Sequence, residues 1–219
     1  MREVILDTET TGLDPRQGHK IIEVGAIEMY NKVATGKLFH YYINPERDVP
    51  LEAFQIHGIS TEYLKDKPKF IEIVDEFLEF IKGGDLVIHN AAFDMNFLNY
   101  ELGLLNKPSL DHISVIDTLS MARKKFPGQK NNLDALCKRF RIDNSSRQYH
   151  GALKDANLLS EVYIELTGGR QIKLLIDNTE SEINKLSNES KNLYSSMDFK
   201  ITKPTSEELL LHAEFKSKL

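Results

Sequence analysis

Apolar and polar positions change period along the chain, and those changes predict its elements. Residues 3–8, 20–30 and 38–44 are apolar-rich runs with brief gaps between them, which predicts three strands lying as antiparallel neighbours. Asn44-Pro45 closes the third run. From about Thr61 to Ile81 the spacing becomes helical, with Phe70, Ile73, Val74, Phe77, Leu78 and Ile81 at steps of three and four. Gly83-Gly84 stops that helix. Residues 85–89 then predict a short buried strand, and a helix runs through Phe97, Leu98 and Leu102 to Gly103. Residues 114–118 predict another strand, and helices occupy much of 118–167. This order predicts an α/β class domain: a mixed sheet of about five strands with helices on its faces.

The compact pattern ends at Thr167-Gly168-Gly169. Residues 177–206 carry repeated Asn, Ser, Lys and Glu with few apolar anchors, as a linker does. Thr205 and Glu208 then have capping-box spacing ahead of Leu209, Leu210 and Leu211, which predicts a short terminal helix. The expected organisation is a domain over 1–170, a linker over 171–203 and a helix within 204–219, with no internal repeat. A hydrophobic share of 41% is enough for a sizeable core, and no run of eighteen apolar residues offers a membrane span. The first residues lack a signal peptide's apolar stretch, and the single cysteine, Cys137, fits a reducing cytoplasm. A net charge of −5 argues against a general grip on nucleic acid.

Candidate chemistry gathers at element ends. Asp7 and Glu9 stand two apart at the end of the first strand, so both project from one face. Two carboxylates held that close repel unless a cation lies between them, and hard oxygen ligands suit magnesium or manganese. Taken alone, the triplet is equally a solvated strand end. The segment from His89 to Asp94 repeats the arrangement, with a short strand, two alanines and an acid in the first turn of a helix. By itself Asp94 reads as a residue that favours the helix N-terminal dipole. In the third segment, His150-Gly151-Ala152-Leu153-Lys154-Asp155, a continuous helix would set the two side chains about 140° apart. If Gly151 starts the helix, both can face one pocket, and a histidine with a pKa of roughly 6.5 can take a proton from water.

Taken together, Asp7-Thr8-Glu9, the His89-to-Asp94 block and His150-x-x-x-x-Asp155 resemble the three exonuclease motifs of the DEDD superfamily, histidine branch. Position 151, where the tyrosine branch carries its tyrosine, is glycine. The likeness covers roughly residues 1–170 and is nearest to the DnaQ-like proofreading (epsilon) subunits of bacterial DNA polymerase III. It implies a ribonuclease H-like fold and release of nucleoside 5′-monophosphates from a single-stranded DNA 3′ end. Asp7, Glu9 and Asp155 would hold one of two Mg2+ or Mn2+ ions and also touch the substrate. Asp7 and Asp94 would help hold the second ion, and His150 would serve as general base. By the same likeness, Glu52 and His57 in Leu51-Glu52-Ala53-Phe54-Gln55-Ile56-His57 contact the terminal nucleotide; read without it, His57 is a turn histidine before Gly58. RNA exonucleases of the ribonuclease T and oligoribonuclease type share the three motifs and stand as the alternative, as does a non-catalytic scaffold.

Residues 121–150 carry eight basic side chains (Arg123, Lys124, Lys125, Lys130, Lys138, Arg139, Arg141 and Arg147) against Asp134 and Asp143. They form either a rim that guides a phosphate backbone or an ordinary solvated face. Cys137 lies among apolar-spaced positions and reads as core. Gln171-Ile172-Lys173-Leu174-Leu175 resembles sliding-clamp binding peptides. The terminal helix and the flexible tether before it resemble the family tail that docks on the polymerase III catalytic subunit.

Overall fold

The computed structural model describes residues 1–145 and 149–168, together with Thr205, Glu208, His212 and Lys216. Five strands form one mixed sheet: β1 (Arg2–Thr10), β2 (Ile21–Tyr30), β3 (Val33–Tyr42), β4 (Asp85–Ile88) and β5 (Val115–Asp117), in the order β3-β2-β1-β4-β5. β1 to β3 are antiparallel neighbours, while β4 and β5 run parallel to β1. The β2–β3 hairpin turns at Asn31 and Lys32, both with positive φ (49° and 65°), as a two-residue type I′ turn requires. β3 begins at Val33 rather than near Leu38, because its first positions are exposed and carry no apolar signal.

Seven α-helices lie within the described residues of 1–168: α1 (Leu51–His57), α2 (Thr61–Leu64), α3 (Phe70–Ile81), α4 (Ala91–Leu104), α5 (Thr118–Lys125), α6 (Leu133–Phe140) and α7 (Ala152–Leu166). The alternation of β1 sends Val4 and Leu6 into a core with Phe77, Phe97 and Leu98 of α3 and α4. Ile5 faces the other way, into a core with Leu136, Cys137 and Val162 of α6 and α7. The single helix expected over 61–81 is broken in two. Pro68 has no N–H to continue a helix and disfavours helical geometry at the residue before it. The chain restarts where the Glu72 carboxylate accepts the Lys69 N–H at 2.7 Å. α1 was not foreseen as a helix. The expected strand over 85–89 ends one residue early, because Asn90 takes a left-handed φ of 68° and turns the chain into α4.

The chain divides into a unit of Met1–Ile172 and one of Lys173–Leu219. In the second, Thr205 N–H donates to Glu208 Oε2 at 2.7 Å and Glu208 N–H donates to Thr205 Oγ1 at 3.3 Å. That is the reciprocal capping box read from the sequence, and Glu208 is helical. Residues 171–175, the rest of the expected linker, Leu209–Leu211, Phe215 and Arg147 lie outside the described residues. Among the described residues no helix is long and apolar enough to cross a membrane.

Candidate active site

The site forms where β1 ends beneath the start of α7. Asp7 and Glu9 continue the Ile5 face of β1 and lie opposite Gly25 and Glu23 of β2. Gly25 decides how close α7 comes. A Cβ there would lie 2.2 Å from Leu153 N and 2.4 Å from the Ala152 carbonyl carbon, so the helix start rests on bare backbone. Gly151 is the N-cap in extended geometry, and Asp155 N–H donates to its carbonyl at 2.8 Å. His150 therefore sits on the preceding loop and not on the helix, with its backbone N–H donating to Ile56 O of α1 at 3.1 Å. His150 Nδ1 is 3.2 Å from Asp155 Oδ2. Glu9, His150 and Asp155 offer ligand atoms that all lie within 4.8 Å of one another.

Asp94 reaches the same place from the opposite face of the sheet. The left-handed Asn90 starts α4, which puts Asp94 in its first turn, and Thr8 Oγ1 donates to Asp94 Oδ1 at 2.7 Å. The electrostatics record the crowding. Burial pushes the Asp7 carboxyl well above its ordinary value, and the charges of Asp94, Glu9, Asp155 and Glu23 push it further. Burial likewise raises Asp94 to about 7, against the opposing bond from Thr8. Carboxyls that resist ionising for want of compensating charge have the chemistry of a cation site.

A cleft of about 510 Å³ adjoins this cluster and includes Glu9, Leu13, Glu52, His57 and Phe93 in its lining. Its size suits a nucleotide. Glu52 and His57 are thus brought beside Glu9 by α1. His57 Nδ1 accepts the Ile59 N–H at 3.0 Å, which leaves the ring proton on Nε2. That Nε2 is buried with no hydrogen-bond partner. Burial lowers the His57 pKa, which favours the neutral ring.

The sequence reading passed over Thr8, Phe93, Glu23 and His40. Glu23 carried a usable signal, being a charge inside the apolar run Ile21-Ile22-Glu23-Val24-Gly25-Ala26, and it is 2% exposed. The basic rim is smaller than its composition. Lys125 donates to the carbonyls of Glu165 and Leu166 at 3.2 Å and so caps α7. Arg139 donates to Asn131 and to the Lys130 carbonyl and lies 4.3 Å over the Phe126 ring. Arg123, Lys124, Lys130, Lys138 and Arg141 are exposed.

A family profile described as Exonuclease matches residues 4–163. The protein named DNA polymerase III subunit epsilon from Rickettsia felis is 60% identical over 100% of this chain and 97% of that one. Its namesake from Escherichia coli K12 is 53% identical over 77% of this chain and 72% of that one. Among solved structures, exonuclease X in complex with 5′ overhanging duplex DNA matches with a TM-score of 0.60 at 24% identity, over 75% of this chain and 90% of that one. The nuclease domain of 3′hExo, a DEDDh family member bound to rAMP, matches with a TM-score of 0.66 at 18% identity, over 76% and 91%. These structural likenesses establish the ribonuclease H-like exonuclease fold.

Proposed function

The chain belongs to the exonuclease family, and from that premise we propose that it is the 3′→5′ proofreading exonuclease subunit of a bacterial DNA polymerase III, acting in the cytoplasm. One observation carries the reading: Asp7, Glu9, Asp94, Asp155 and His150, drawn from three separate segments, form one cluster. Identity of 60% along the whole chain to a protein named as that polymerase's epsilon subunit supports the choice of DNA over RNA.

The donor set fits divalent metal, since it consists of carboxylate oxygens with one imidazole at the edge and holds more negative charge than it can ionise unaided. Asp7, Glu9 and Asp155 would hold one Mg2+ or Mn2+, and Asp7 with Asp94 a second. Bound there, the ions supply an activated water and neutralise charge on the departing 3′ oxygen. His150 donates Nδ1–H to Asp155, leaving Nε2 to take the proton of the attacking water. His57 offers its Nε2–H, and Glu52 its carboxylate, to the terminal nucleotide in the cleft. Phe93 gives the nucleotide an apolar wall. Residues 1–170 are the catalytic domain in this reading. Residues 171–203 form a linker carrying a clamp-binding peptide at 171–175, and 204–219 dock on the polymerase.

The test is degradation of a 3′-mismatched primer with and without chelator, by the native chain and by Asp7→Ala. The variant is expected to fold, since it removes charge repulsion, and to lose metal-dependent digestion. Near-normal digestion by Asp7→Ala would sink the assignment.

A further inference from the structure

The carboxylate cluster continues outward along the sheet in a way the reaction above does not use. Pairing across the strands sets Glu9, Glu23 and Tyr42 in one row, and Asp7, Gly25 and His40 in the next, all on the face beneath α7. Glu23, in the middle of the first row, is 2% exposed. Its Oε1 is pinned by His40 Nε2 at 2.8 Å. Its Oε2 is buried with no hydrogen bond to the His150–Gly151 segment, while the Tyr42 hydroxyl acts on the carboxylate as a hydrogen-bond donor. Oε2 lies 3.8 Å from the point where a Cβ on Gly151 would stand, directly below the segment that carries His150. Glu23, His40, Tyr42, Tyr149, His150 and Lys154 line one cavity of about 700 Å³, separate from the nucleotide cleft.

From this geometry we propose that Glu23 is a positioning residue for His150. Held by His40 and Tyr42, its carboxylate forms the buried floor against which the His150–Gly151 segment packs. The segment has two fixed points in this arrangement. The His150 N–H is tied to Ile56 O on the α1 side, and Glu23 lies below Gly151 on the sheet side. The inference rests on His150 being the general base.

The experiment is a double-mutant cycle in single-turnover digestion of a short 3′-mismatched oligonucleotide. Glu23→Gln keeps the size and one acceptor oxygen but places an NH2 donor beneath Gly151. It is expected to lower the single-turnover rate about tenfold, the scale for a catalytic group displaced by less than 1 Å. KM and the half-saturating Mg2+ concentration should stay within about twofold, and Glu23→Gln on a His150→Ala background should cost less than about twofold more. In the metal-free protein, the His150 ring signals in NMR should shift or broaden in Glu23→Gln while other histidines outside this cavity stay in place. Equal losses in both backgrounds, or a changed Mg2+ requirement, would assign Glu23 to the fold or the metal site and overturn the proposal. A normal rate in Glu23→Gln beside a crippled His150→Ala overturns it alone. A normal rate in His150→Ala overturns the base assignment and the proposal with it. Should Glu23→Gln fail to fold, His40→Gln frees the carboxylate in place and answers to the same criteria.

Discussion

Gly25→Ala concentrates the structural argument for the site into a single methyl group. An added Cβ would stand 2.2 Å from Leu153 N, whereas ordinary contact begins at 3.4 Å, so α7 must retreat by 1.2 Å or the sheet must yield by as much. The colliding atoms on both sides are backbone, and no flexible side chain can absorb the overlap. Asp155 stands in the first turn of that helix and His150 just before it, so both would leave Asp7 and Glu9 by about the same distance. A displacement near 1 Å at a catalytic constellation costs on the order of 100-fold in rate, and overpacking a tight contact costs about 1–3 kcal/mol of stability. The assay is single-turnover hydrolysis of a mismatched primer at saturating Mg2+, with thermal unfolding measured alongside. Gly103→Ala is the control: it lies in α4 with nothing within 4 Å of a new Cβ, so it should raise stability by about 0.5–1 kcal/mol and leave the rate unchanged. A Gly25→Ala protein that digests within about threefold of the native rate would refute the close seating of α7 as the device that assembles the site.

Three more outcomes are expected. Metal-free protein should lose stability as pH rises through about 7, because the Asp94 pKa is raised in the folded state and its stabilising protonated form is lost there. The gap between about 7 and the ordinary 3.8 sets an upper bound of about 4 kcal/mol, and Mg2+ should raise the unfolding temperature more at pH 8 than at pH 5; the reverse order would contradict a cation-starved cluster. Arg139→Ala should lower stability by about 1–2 kcal/mol through its two hydrogen bonds and its stack on Phe126, with DNA digestion nearly unchanged; a digestion defect with native stability would return it to the nucleic-acid rim. Deleting residues 204–219 should weaken binding to a polymerase III catalytic subunit, measured by gel filtration or titration calorimetry, without slowing hydrolysis of a short oligonucleotide.

The net charge of −5 that argued against nucleic acid takes on a different meaning once the acids are located. Glu9, Asp94, Asp155 and Glu23 are concentrated around Asp7, where their acidity is a requirement for cations and not a general property of the surface. Asp7, Glu9, Asp94 and Asp155 were legible because strand alternation and a helix start at Gly151 follow from local chemistry, and three motifs in order constrain each other. β3's first half was not legible, because an exposed edge strand beside a type I′ turn carries no apolar period. Nor was the break at Pro68, where a helical apolar spacing continues across a residue that cannot continue the helix. Glu23 failed for a third reason. Its meaning depends on which strand lies opposite and on how closely α7 approaches, and both are tertiary facts set by the register at Glu9 and by the missing side chain of Gly25. A charged residue in an otherwise apolar strand therefore marks where to look, while the partner that gives it a role is visible only in the folded chain.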